Sequence, residues 1–200
     1  SNVHYPRWCN ICNFIMSKLE TNTIDTVSGT SNLTIGSTNS STVTFENGAV
    51  TGQNYPAFEA YLSSDQSGVG DDSQTQVQLN AEILDTNSAF DTSTYTFTCP
   101  VAGKYFVYAS VKLYCPTANF RTLVTNVFKN DVSTISSVIN LKDHYFSSNA
   151  NSSCVPVSGI LDLAVNDTLK LYGQANSAGA NLTFQSGTDG TRIGAYRIGA

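Results

Sequence analysis

From Pro56 to the C-terminus, apolar side chains alternate with polar ones in short runs, and clusters of Gly, Asn, Asp and Ser separate the runs. A period of two marks a half-buried strand. Residues 57–62 place Phe58 and Ala60 on one side and Tyr61 on the other. Further strands are predicted over 74–79, 94–98, 104–114, 122–128, 134–141, 154–164, 168–173, 182–184 and 193–198. Residues 63–73 read as a polar, acidic loop. About ten strands at this spacing without a helical period make a β-sandwich or jelly-roll.

The punctuation between runs carries its own chemistry. Pro100 removes a backbone donor and Gly103 permits positive φ, so Pro100-Val101-Ala102-Gly103 predicts a chain reversal. The strand with Thr94, Thr96 and Thr98 on one face and Tyr95 and Phe97 on the other would then pair with 104–114 as a β-hairpin. Lys129-Asn130-Asp131 predicts a second turn. Asn166 suits a third, because asparagine tolerates positive φ.

A spacing ladder runs through this region. Phe97 lies six residues before Gly103, Phe90 seven before Phe97, Asp85 five before Phe90 and Leu79 six before Asp85. With Gly103-Lys104-Tyr105, this resembles the signature of the C1q-like domain, whose jelly-roll is shared with the tumour necrosis factor family. Leu161-Asp162-Leu163-Ala164-Val165-Asn166-Asp167-Thr168-Leu169-Lys170-Leu171 is a second match, with Asn166 in the place of the family's usual glycine. Leu79 stands for a usual phenylalanine, and Val107 and Ala109 for later aromatics; apolar character survives at all three. The resemblance implies a ten-stranded antiparallel jelly-roll head over 53–200, a homotrimer, and a C-terminal strand inside the core.

The residues before the head differ from it. Residues 1–15 hold the single Trp, Trp8, with Cys9 and Cys12, and show no β-alternation; they read as an atypical leader or upstream extension. Met16 is the single methionine, and the text after it reads like a natural start. Residues 16–52 carry apolar bursts at Ile24 and Val27, Leu33 and Ile35, and Val43 and Phe45, separated by turn-formers. Short strands of this kind bury no core alone but could if three chains wound together, which reads as a short β-rich stalk or attachment segment. A polar leader without fixed structure reads the same way.

Composition narrows the function. Charged residues make up 12 %, against about 25 % in typical globular proteins. The net charge of −5, with no basic cluster, argues against nucleic-acid binding. No apolar run reaches the roughly 20 residues of a membrane span. The five cysteines show no framework spacing. Cys115 with Cys154 is compatible with a bridge, and buried thiols are the alternative. Five Asn-x-Ser/Thr triplets, at Asn32, Asn39, Asn151, Asn166 and Asn181, are what abundant Asn, Ser and Thr give by chance.

Catalytic and metal motifs are weak. The two histidines are His4 in the leader and His144 in a loop, and Ser and Asp are too abundant for a triad to be singled out. Cys9-x-x-Cys12 with His4 lacks a fourth zinc ligand. Asp65, Asp71 and Asp72 could face calcium, which C1q-like heads sometimes bind, but they lack the spacing of a defined calcium loop and read better as a solvated turn. The expectation is no enzyme, no metal and no cofactor. Lys142, His144, Tyr145 and Phe146 in the loop between Asn140 and Cys154 form the candidate ligand-binding site, since aromatics in a polar loop on a rigid sandwich suit glycan or protein surfaces. Tyr145 and Phe146 tucked against a sheet or trimer contact are the alternative; residues 116–121 are a weaker candidate.

The expected function is a non-enzymatic trimeric virion structural or adhesion protein, a phage fibre, tail tip or capsid decoration. Its N-terminal segment would join other virion proteins and its head a host-surface glycan or protein. The text from Leu19 to Gly36 and the terminal Ile193–Ala200 are similar to C1q-like heads of marine phage proteins. A secreted, lectin-like pattern-recognition protein is the alternative.

Overall fold

The structure is a computed structural model, and it describes residues 55–116, 120–140, 151–177 and 181–199. The expected leader over 1–15, the stalk over 16–52 and the loop over 141–150 lie outside these residues. Thirteen strands and no helix are described. In chain order they are β1 (Ala57–Tyr61), β2 (Gln66–Val69), β3 (Thr75–Gln76), β4 (Ala81–Asp85), β5 (Phe90–Asp91), β6 (Thr96–Thr98) and β7 (Gly103–Tyr114). There follow β8 (Thr122–Lys129), β9 (Val132–Asn140), β10 (Ser152–Leu163), β11 (Thr168–Asn176), β12 (Leu182–Phe184) and β13 (Arg192–Gly199).

The strands form two antiparallel sheets. The first runs β10-β7-β13-β1-β4, with β12 and β2 continuing it beyond β13 along the far part of β7. The second runs β5-β6-β11-β8-β9, with β3 beside β11. Inward side chains of both sheets meet in one core. Phe58 stacks on Phe97 at 4.2 Å and on Phe90 at 5.4 Å, and Tyr105 meets Phe97 edge-on at 6.2 Å. The ladder residues Leu79, Phe90, Phe97 and Tyr105 are all buried there. Asp85, the polar member of the ladder, holds the β4–β5 loop by accepting the amides of Asn87 and Phe90. The C-terminal strand β13 lies between β7 and β1, inside the sheet.

The jelly-roll stands, but the expected hairpin does not. β6 pairs with β5 and β11, whereas β7 pairs with β10, β12 and β13 in the other sheet. Residues 100–102 therefore carry the chain across the sandwich. Gly103 is needed at that crossing: its φ is +151°, and a Cβ would stand 2.3 Å from the Gly199 carbonyl oxygen. The alternation over 94–98 also fails at Tyr95, which sits in a turn with φ +57°. Within the expected loop over 63–73, β2 forms and buries Val69, while the strand expected over 74–79 narrows to β3. Cys99, Cys115 and Cys154 are free thiols, the first two buried, so Cys115 and Cys154 are not bridged.

Two turns form as their residues require. Asn130 and Asp131 have φ of 51° and 62°, the paired left-handed geometry of a two-residue hairpin loop between β8 and β9. Asn166 has φ of 71°.

Candidate oligomer interface and binding end

Strand register arranges the outer face of the first sheet in rows. One row reads Ile160, Phe106, Tyr196 and Ala57; the next reads Ser158, Tyr108, Gly194, Glu59 and Leu84. A third holds Pro156, Ser110, Arg192 and Tyr61. The opposite side of the same strands fills the core: in β7, Tyr105, Val107, Ala109, Val111 and Leu113 point inward, while Phe106 and Tyr108 share the outer face with Lys104, Ser110, Lys112 and Tyr114.

The aromatics on this outer face pack against one another. Phe106 lies 5.5 Å from Tyr196 and 6.2 Å from Tyr108. Tyr108 leans across Gly194 to the strand beyond, where its hydroxyl donates to Glu59 Oε2 at 2.9 Å. A Cβ on Gly194 would come within 2.4 Å of the Tyr108 ring and hydroxyl, so glycine is what lets the ring cross. Arg192 Nη1 holds the other carboxylate oxygen of Glu59 at 3.0 Å. Burial, reinforced by the Glu59 carboxylate, pushes the Tyr108 hydroxyl up to about 12. Beside this network is an open depression of about 400 Å³ with Phe106, Tyr108 and Arg192 around small residues such as Ser110 and Ser158. Yet Ile160 is 62 % and Tyr196 46 % exposed, an apolar surface that water solvates poorly.

A second surface differs in kind. β9 is the edge of the second sheet, and over nine residues it carries no charge, proline or glycine. Val132 and Val138 are exposed on it. Bare edges normally carry such guards, and β10, the neighbouring edge of the first sheet, has Pro156 and Asp162.

The sandwich also has two distinct ends. β7 and β10 pair along their whole lengths, from Gly103 opposite Leu163 to Tyr114 opposite Ser152, a span of about 36 Å at ~3.3 Å per residue. The chain enters β1 at Ala57, opposite Tyr196, and leaves at Gly199, opposite Lys104, so both points share the Gly103 end. Lys142, His144, Tyr145 and Phe146 lie outside the described residues, but the attachment points of their loop are fixed. Asn140 pairs with Thr122, and the Asn151 carbonyl accepts the Cys115 amide, both at the far end.

The three acidic residues considered for calcium go to separate partners. Asp65 Oδ1 accepts the amide and hydroxyl of Ser186, which hold its carboxyl below the usual range. Asp71 does the same for Ser177, and Asp72 accepts the Gln174 side chain at 3.0 Å. They pin loops. Among the described residues no cluster of three or more His, Cys, Asp or Glu is placed to hold a metal.

Sequence reasoning missed the aromatic face. Its signal was present in 104–114, where Phe106 and Tyr108 stand at successive outward positions between Lys104 and Ser110.

Comparison with known proteins agrees with this architecture. The family model described as C1q domain matches residues 57–186. The globular domain of zebrafish complement 1qA protein is 20 % identical, with 72 % of this chain and 97 % of that one covered, at a TM-score of 0.50. Murine APRIL, in a crystal structure at pH 5.0, is 11 % identical over 72 % of this chain and all of its own, at a TM-score of 0.52. Eiger TNF from S. frugiperda is 13 % identical over 72 % and 91 %, at 0.51. These identities carry the fold alone. No curated protein matches the chain.

Proposed function

The chain belongs to the C1q-domain family, and from that premise we propose that it is a non-enzymatic binding protein that works as a homotrimer. The observation that carries this reading is the exposed aromatic face of the first sheet. A closed three-fold ring uses a heterologous interface, in which one surface meets a different one on the next copy. The molecule has such a pair: the face around Phe106, Tyr108 and Tyr196, and the unguarded β9 edge with Val132 and Val138. Packing one on the other would remove both exposed apolar surfaces at once.

In this arrangement the loop over 141–150 is attached at the end away from the chain's entrance to the head. Three copies of Lys142, His144, Tyr145 and Phe146 would face one target, and individually weak contacts would add through multivalency. The target we propose is a host-surface glycan or protein, and the setting a virion, with the head as a phage fibre, tail-tip or decoration module joined to other virion proteins through its N-terminal segment. The weakly charged polar β-composition and the short-strand spacing over 16–52 support that setting.

Light scattering on the full chain tests the assembly. The expected mass is three times the 21.4 kDa of one copy. Phe106→Asp, on the outward face, should give a folded monomer. A wild-type monomer at micromolar concentration would overturn the reading. Labelled full-length trimer applied to bacterial cells tests the setting: saturable, strain-restricted binding that weakens in Tyr145→Ala is expected, and absence of binding across a broad panel would remove the host-surface role.

A further inference from the structure

A second depression, of about 300 Å³, lies at the Gly103 end of the sandwich, away from Asn140 and Asn151. Three separate connections build it. Asn87, Ser88 and Asp91 come from the β4–β5 region, Thr98 and Pro100 from the crossing between sheets, and Asn166 from the β10–β11 turn. Ala89 and Pro100, both half-buried, contribute apolar lining, and Phe90 and Cys99 are buried in the core.

The walls are tied together by backbone. The Thr98 amide donates to the Ala89 carbonyl at 2.8 Å, and the Asn166 amide to the Cys99 carbonyl at 2.9 Å. Ser88 and Asn166 both adopt left-handed backbone, with φ of 50° and 71°. Asp91 is fixed by Ser93, whose amide and hydroxyl donate to Oδ1, and by Thr94, whose hydroxyl donates to Oδ2 at 2.8 Å. Those bonds hold its carboxyl at about 2, so it is ionised at neutral pH. It is the single charged residue of the lining.

We infer that this depression binds one neutral sugar ring, with a ring hydroxyl donating to Asp91 Oδ2 beside the Thr94 hydroxyl and the Asn166 carboxamide adding a second polar contact. The size decides for one ring over an extended chain, since ligand pockets span roughly 300–1,000 Å³. The charge decides against acidic sugars and phosphates, which Asp91 would repel. Amide, hydroxyl and carboxylate groups beside apolar surface match a ring with hydroxyls at its edge and C–H groups on its face. The attachment points of the loop over 141–150, Asn140 and Asn151, lie at the opposite end.

Saturation-transfer NMR on the full chain, with the methyl glycosides of glucose, galactose, mannose and N-acetylglucosamine, is the test; N-acetylneuraminic acid is the acidic control. At least one neutral glycoside should bind saturably and the acidic sugar should not. Asn166→Gly keeps the left-handed backbone but removes the carboxamide, and should weaken binding about fivefold to tenfold with unchanged thermal stability. Asp91→Asn should weaken it further, and Tyr145→Ala should leave it unchanged. The inference fails if no neutral glycoside saturates, or if binding survives both Asn166→Gly and Asp91→Asn intact. Loss in Tyr145→Ala alone would also overturn it and move the glycan to the loop at the other end.

Discussion

Gly194→Ala tests the geometry of the outer face without touching the core. The added methyl would stand 2.4 Å from the Tyr108 ring, which must leave its place over β13. Leaving breaks the 2.9 Å bond to the Glu59 carboxylate, and hydrogen bonds to charged groups contribute about 1.5–3 kcal/mol. Contact with Phe106 is lost too, worth about 0.5–1.5 kcal/mol. Against this, replacing glycine in an extended strand lowers the entropy of the unfolded chain and returns about 0.4–1 kcal/mol. The net cost is therefore about 1–4 kcal/mol, read from urea unfolding at fixed protomer concentration. In a Tyr108→Ala background the obstacle is gone, and the same substitution should be neutral or slightly stabilising. The change of sign across the double-mutant cycle separates the tyrosine contact from any general effect of alanine. Spectrophotometric titration gives a second reading: one tyrosine that ionises near 12 in the wild type should move toward the ordinary value of 10 in Gly194→Ala. Equal cost in both backgrounds, or an unmoved tyrosine, would refute the reasoning.

Other consequences follow from single groups. Phe97→Ala empties the centre of the aromatic stack and should cost about 3–5 kcal/mol by denaturant unfolding; less than about 1 kcal/mol would mean Phe97 is not in the core. The Asp167 carboxyl is held at about 2, below its ordinary 3.8, by the Asn130 side chain and Lys129. Its folded value is depressed, so the stability it gives is complete above pH ~4 and is lost as pH falls from 3.8 through about 2. Asp167→Asn should flatten the stability curve in that window, and an unchanged acid limb would show the carboxylate contributes nothing there. In a Cys9→Ser, Cys12→Ser background, a thiol reagent should label Cys154 first and reach Cys99 and Cys115 only on unfolding. Early labelling of Cys99 would contradict its burial.

The buried ladder was legible in sequence because large apolar side chains at strand-spaced positions between turn-formers mark a core face. Leu79, Phe90, Phe97 and Tyr105 belong in a core whichever sheet holds them. Pairing was not legible, for a physical reason at residues 100–103. Proline followed by a positive-φ glycine turns a chain equally well within one sheet or from one sheet to the other. What decides is the competition for edges: both edges of β7 are occupied, by β10 on one side and by β12 and β13 on the other, leaving none for β6. Those partners lie between 38 and 95 residues further along the chain, beyond the reach of turn chemistry. The outer face shows the same division. Phe106 and Tyr108 at successive outward positions of 104–114 already mark an aromatic patch on the outer face of β7, between Lys104 and Ser110. The gap that Gly194 leaves for Tyr108, and the reach of that ring to Glu59, exist only once register sets three strands side by side. A sequence can thus reveal that a surface needs a partner before it reveals how that surface is built.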